Sequence, residues 1–146
     1  MEIRPPHPSE YDIVRELSLS HLSTASRKRY LTMNPESAQL TKGMINSTKG
    51  VCFVAWVDGG VIGYVMGAIK ETPLTSVRFA ELADIKVRED FRNRGIGGQL
   101  ANAFIGWGKE RADRICVTAH SKNAAAIRFY ERLGFISQSL ELELER

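Results

Sequence analysis

Residues 79–98 constrain this chain most. An apolar, strand-like run from Phe79 to Val87 leads through Arg92-Asn93-Arg94-Gly95-Ile96-Gly97-Gly98 into a helix with an apolar stripe. Glycines let the backbone approach a ligand without a Cβ in the way, and the unpaired amides of a helix N-terminus, reinforced by the helix dipole, favour an anion there. The segment therefore reads as a phosphate cradle with arginines beside it. Its spacing excludes the commoner nucleotide loops. A P-loop needs Lys-Ser or Lys-Thr after its last glycine, whereas this segment continues Gly98-Gln99-Leu100. A dinucleotide fingerprint fails as well, because Leu100 stands where its third glycine belongs. What remains is Arg-x-x-Gly-x-Gly, and at this point the plainer reading stays open, in which Gly95 and Gly97 only make a tight strand-to-helix turn.

Composition narrows the setting. A chain of 146 residues, 43% apolar and 25% charged, is expected to form one domain over 1–146 with a single core. No stretch approaches the roughly 18 apolar residues of a membrane span, and Met1-Glu2-Ile3-Arg4-Pro5-Pro6 has no apolar signal region. The cytoplasm is the expected location, with no membrane partner. Cys52 and Cys116 lie in apolar segments and read as small core residues, while His7, His21 and His120 show no ligand spacing, so no metal is expected. A net charge of +3 suits an anionic ligand but is too mild to argue for nucleic acid. The densest basic cluster, Arg27-Lys28-Arg29, lacks repeated aromatic interleaving and reads as a solvated helix end or loop.

The remaining chain reads as alternating elements. Ile3 begins a short strand that Pro5, Pro6 and Pro8 stop, and Ser9 is placed to cap a helix running through about His21, with Ile13, Val14 and Leu17 on one side. Residues 23–34 read as a polar loop, and 36–47 as a second helix. Two apolar runs, 51–57 and 61–69, flank Asp58-Gly59-Gly60, a strong hairpin signal. Beyond the strand at 79–87, Ile96, Leu100, Ala103, Phe104 and Trp107 stripe a helix. A strand at 114–119 follows, then a helix from Asn123 to Leu133 stopped by Gly134. Residues 139–145 alternate leucine and glutamate and read as a last strand with one wet face. The expected order is β-α-α-β-β-β-α-β-α-β.

That order, the cradle, and a second pattern, Asn123-x-x-Ala126-x-x-x-Tyr130-x-x-x-Gly134-Phe135, together resemble the GNAT superfamily of acetyl-CoA-dependent N-acetyltransferases over nearly the whole chain. The resemblance implies an α/β fold with a mixed, splayed central sheet flanked by helices, opening between the strands at 79–87 and 114–119. It implies acetyl-CoA as co-substrate, with pantetheine pairing beside Ile85 and Val87, pyrophosphate on the amides of Arg92, Asn93, Arg94, Gly95, Ile96, Gly97 and Gly98, and Asn123 either capping its helix or touching pantetheine. The implied reaction is acetyl transfer to a primary amine of a small molecule, peptide or protein by direct attack in a ternary complex. Self-association into a homodimer stays open.

The chemistry sets its own demands. An alkyl amine with a pKa near 10 must lose a proton before it attacks a thioester, and a leaving thiolate of parent pKa about 8–9 is helped by a proton donor. By resemblance the base is Glu81 and the acid Tyr130, with Asp84 the substitute base. Regular alternation puts Glu81 on the face of Ala83, Ile85 and Val87, and Asp84 on the opposite one unless a bulge intervenes. The plainer readings are an idle Glu81 at an exposed strand end and a Tyr130 that is simply core. Two other functions stay open: a catalytically weak CoA-binding regulatory domain, and a basic interaction module for acidic partners.

Overall fold

The computed structural model describes the backbone of residues 1–146 and every side chain except those of residues 37, 38, 40 and 41. Its sheet is organised by a hairpin. β2 (Gly50–Val57) and β3 (Gly60–Glu71) pair antiparallel, joined through Asp58 at φ 46° and Gly59 at φ 87°, the left-handed pair that a two-residue turn matched to strand twist requires. β1 (Glu2–Arg4) adds antiparallel to β2, and β4 (Arg78–Val87) antiparallel to β3. β5 (Arg114–Val117) adds parallel to β4, giving the order β1-β2-β3-β4-β5.

A parallel neighbour needs a crossover, and α4 (Ile96–Lys109) supplies it. Its Ile96, Leu100 and Phe104 are buried against Ala55, Ile62, Val65, Ala80 and Leu82 on one face of the sheet. Full burial of each such side chain is worth about 1.5–3 kcal/mol, and Phe104→Ala is expected to cost about 3–5 kcal/mol. On the other face α1 (Tyr11–Ser18) sets Val14 and Leu17 against Cys52, Val54, Val61, Tyr64 and Met66. α2 (Thr24–Met33) and α3 (Ser37–Ile45) follow it, and α5 (Ala124–Arg132) follows β5. Among the described residues no helix is long and apolar enough to cross a membrane.

Three expectations are corrected. Residues 23–34, read as a loop, hold α2. Its Ser23 Oγ accepts the Ser26 amide at 3.1 Å, and its residues show no buried stripe, so periodicity could not reveal it while the cap could. The first helix starts at Tyr11 rather than after Ser9, because Pro8 opens a 3₁₀ turn over Pro8–Glu10. That turn is tied by Glu10, which accepts the His7 amide at 2.8 Å and pairs with Arg4 at 2.7 Å. Finally, residues 139–145 form no strand in the single chain. Alternation states that a segment can be a half-buried strand; it does not supply the neighbouring strand. The observed order is β-α-α-α-β-β-β-α-β-α.

Candidate active site

β4 has two neighbours for only part of its length. Its ladder with β5 covers Phe79↔Arg114 to Leu82↔Val117, while its ladder with β3 runs on to Val87↔Gly63. The sheet therefore splays past Leu82, between the two strands named from the sequence. The Arg88 amide donates to Ile62 O at 2.7 Å, toward β3. Backbone groups alternate along a strand, so those of Ile85 and Val87 point into the gap. The Val87 carbonyl there accepts from Arg92 Nε at 3.2 Å.

The cradle closes one end of the gap. Asn93 and Gly95 take left-handed backbone at φ 63° and 78°, and Gly95 is the N-cap of α4. The first amide to bond back into the helix is Gln99, to Gly95 O at 3.2 Å, which leaves the amides of Ile96, Gly97 and Gly98 ahead of the ladder. Glycine at Gly95 follows from its φ. At Gly97 and Gly98 nothing in the chain demands it. A Cβ on Gly97 would stand 3.5 Å from the Phe129 ring, an ordinary contact, and one on Gly98 would meet nothing within 4 Å. Each glycine in a helix interior costs roughly 1 kcal/mol relative to alanine, so bare backbone at these two positions fits a ligand rather than the fold. Arg94 and Arg88 stack on the Phe91 ring at 4.9 and 4.8 Å, and Arg88 pairs with Asp90 at 2.7 Å.

A bulge rearranges the strand's carboxylates. Glu81 pairs with Ala68 and Leu82 with Gly67, but Asp84 pairs with Met66, so Ala83 is an extra residue on β4. The expectation that Glu81 shares a face with Ile85 and Val87 is thereby overturned: Glu81 and Asp84 share the α1 side, while Ala80, Leu82, Ile85 and Val87 face the α4 core. One signal for this was present in the sequence. Gly67 sits inside an apolar strand, a mark of a bulge or a close approach, and a Cβ there would lie 2.2 Å from Glu81 O and 2.5 Å from Phe104.

The two carboxylates live differently. Glu81 Oε1 accepts from Lys70 Nζ at 2.7 Å. Asp84 accepts a short hydrogen bond from the Tyr64 hydroxyl, a side chain buried completely in the α1-side core. Burial first, and the Asp84 charge second, push the Tyr64 hydroxyl far above the usual tyrosine range. Next on this face, Lys86 Nζ donates to Ser18 O at 2.8 Å and lies 2.7 Å from His21 Nδ1, fastening β4 to the end of α1. Burial lowers its pKa, the Asp84 charge opposing and Arg92 adding to the fall. Sequence reading missed both Tyr64 and Lys86, since neither stands out without the bulge that aligns them.

Tyr130 stands on α5, on the other side of the sheet. Its ring packs against the α4-side core and meets Phe129 and Phe135 edge-on at 5.1 and 5.7 Å. Burial first, and the Asp84 charge second, raise its hydroxyl pKa above the ordinary tyrosine value. Asn123 caps α5, its Oδ1 accepting the Ala126 amide at 3.1 Å, and Gly134 ends the helix at φ 102°.

A sheet parted beside a glycine-faced helix terminus, with Asp84 on the strand that borders the gap and Tyr130 on the helix that follows β5, is an α/β fold with an open cleft. The chain belongs to the acetyltransferase (GNAT) family, whose model matches residues 13–135. It is 37% identical over 92 residues to an N-alpha-acetyltransferase of Sulfurisphaera tokodaii, covering 57% of this chain and 54% of that relative. It is 27% identical over 130 residues to an aminoglycoside N(6')-acetyltransferase type 1 of Salmonella typhimurium, covering 84% of this chain and 90% of that one. The chain spans 54%, 38% and 54% of the lengths of three of its curated relatives. In fold it is similar to a Bacillus halodurans protein at TM-score 0.82 and 21% identity, over 100% of this chain and 99% of that one. It is likewise similar to the aminoglycoside N-acetyltransferase AAC(6')-Iy in complex with a bisubstrate analogue, at TM-score 0.77 and 19% identity, over 99% and 97% of the two chains.

Proposed function

We propose that this chain transfers the acetyl group of acetyl-CoA to a primary amine by direct attack in a ternary complex. The observation that carries the reading is the pairing of an open β4–β5 gap with first-turn glycines that the chain's own packing leaves unexplained. Pyrophosphate is assigned to the Arg92–Gly98 loop and the amides of Ile96, Gly97 and Gly98, and pantetheine to the backbone of Ile85 and Val87. Asn123 gives its Oδ1 to the helix, which leaves its Nδ2 for pantetheine. Acetyl-CoA supplies an electrophilic thioester carbon and a thiolate leaving group. The protein moves two protons. The amine loses one to a carboxylate as its nitrogen bonds to the acetyl carbon, and Tyr130 gives one to the departing sulfur as the C–S bond breaks.

For the base we assign Asp84, because its charge is felt at the Tyr130 hydroxyl and Tyr64 orients it. Glu81 is the second reading, favoured by its place on the same face, three residues earlier, with Lys70 as counterion. Relatives named for L-amino acids and for aminoglycosides have the amine acceptor in common, and that group is the acceptor class assigned here. The cytoplasm as location rests on sequence alone, and cell fractionation checks it. The function is tested by following free-thiol release from acetyl-CoA across amines, amino acids and peptides, beside thermal melts with the same co-substrate. Expected are amine-dependent CoA release and a raised melting temperature. A melting temperature unmoved by saturating acetyl-CoA overturns the reading, and stabilisation without turnover on any amine supports a regulatory CoA-binding domain instead.

A further inference from the structure

Arg27 has a surrounding that the fold does not explain. It opens the basic run Arg27-Lys28-Arg29, which as sequence reads as a solvated helix end or loop, and Lys28 and Arg29 are exposed as that reading expects. Arg27 is partly buried instead, as is Leu31 one turn later, so these two residues make the inward face of α2. Its Nε is shut off from solvent, and among the described residues nothing accepts a hydrogen bond from it. Buried polar groups are with few exceptions paired, because an unpaired one has given up its bond to water for nothing. A guanidinium held this way has donors to spare for an acceptor from outside the chain.

Space for one adjoins it. Arg27 borders a hollow of about 460 Å³ whose other walls are α1, the β2–β3 turn and Arg88, a size within the roughly 300–1,000 Å³ of small-molecule sites. Most charges around this hollow are already engaged. Glu10 pairs with Arg4 at 2.7 Å and Arg88 with Asp90 at 2.7 Å, whereas among the described residues neither Arg27 nor Glu16 enters an ion pair. One cation and one carboxylate therefore line the same space without meeting. Glu16 would oppose a simple anion there, and Arg27 a simple cation, while a molecule with both charges answers both. The remaining wall includes Ile13, Leu17 and Val61, which suits a hydrocarbon side chain.

We infer that this hollow is a second binding site, for a free amino acid with an apolar side chain, its carboxylate on Arg27 and its ammonium group on Glu16. A guanidinium presents paired N–H donors that match the two oxygens of a carboxylate. The site is separate from the catalytic gap. That gap opens on the β5 side of β4, while the hollow lies at the β2–β3 turn, and neither Asp84, Tyr130 nor the Arg92–Gly98 loop is in its wall. The inference therefore does not rest on the catalytic reading.

The test is binding of L-leucine to the full chain without acetyl-CoA, followed by calorimetry and by thermal melts. Saturable binding and a raised melting temperature are expected. Two analogues that each lack one charge, 4-methylpentanoate and 3-methylbutylamine, should bind at least about tenfold more weakly. Arg27→Gln and Glu16→Gln should each weaken leucine by at least about tenfold with unchanged far-ultraviolet circular dichroism, and Asp84→Asn should leave leucine binding as it is. No binding at about 10 mM leucine, an analogue bound as tightly as leucine, or binding that Asp84→Asn removes and Arg27→Gln spares would overturn the inference, the last by placing the amino acid in the catalytic gap.

Discussion

The two halves of β4 make opposite use of the same backbone. From Phe79 to Leu82 the strand is held between β3 and β5, and its Ala80 and Leu82 are sealed against α4. From Ala83 to Val87 it keeps β3 alone, and here stand the coupled Asp84, the gap-facing Ile85 and Val87, and the approach to the cradle. The difference teaches where a site comes from. The closed half supplies rigidity, and withdrawing one neighbour over five residues exposes backbone groups that a ligand can take without unfolding anything. Substitutions in the closed half should therefore act on stability, and those in the open half on turnover or affinity.

The largest effect is expected from Asp84→Asn, which should lower kcat by about 10²- to 10⁴-fold, most at neutral pH and less as rising pH supplies free amine. Glu81→Gln, in the closed half, should change kcat less than about tenfold. If the pH–rate profiles show the two results exchanged, the base is Glu81 and the division fails. Next comes Gly67→Ala, opposite Leu82. Its Cβ would lie 2.2 Å from a backbone oxygen, which cannot yield as a flexible side chain could, so denaturant unfolding should show a loss of about 3 kcal/mol.

A smaller loss, about 10- to 10²-fold in kcat, is expected for Tyr130→Phe with the fold intact. Because burial and then the Asp84 charge raise the Tyr130 pKa above the ordinary tyrosine value, the acid form persists to higher pH than in a free tyrosine. The ratio of wild-type to mutant rates should then hold to a higher pH than the titration of a free tyrosine would allow, and a ratio of one across the whole pH range would return Tyr130 to the core. The smallest effect should follow Gly97→Ala. The Phe129 ring at 3.5 Å leaves room for the new methyl group, so stability should hold or rise by up to ~1 kcal/mol while the Kd for acetyl-CoA rises about tenfold, read by calorimetry.

Legibility divided along similar lines. The hairpin, the glycine turn into α4, the α4 stripe and the Asn123 and Gly134 ends of α5 were readable because each rests on local geometry that few residues satisfy. α2 was not, because a helix polar all round carries no period, and only the Ser23 cap marked it. The facing of Glu81 and Asp84 was misread because alternation assumes a regular strand, and one extra residue defeats it. The segment 139–145 reads as strand-competent yet forms no strand in this structure, because alternation names no neighbouring strand for it.

That extra residue makes β4 behave like a message read in two frames. Upstream of Ala83 the odd-numbered Glu81 faces the α1 side, and downstream the even-numbered Asp84 and Lys86 do. Deleting Ala83 would join Leu82 directly to Asp84 and leave a strand of faultless alternation, with Glu81, Asp84 and Lys86 still on the α1 side and Leu82, Ile85 and Val87 still facing α4; what would be lost is the local bend and twist of the bulge. In a strand without such an extra residue a one-residue slip turns every side chain beyond it to the other face, whereas here Ala83 is the joint at which the two frames meet.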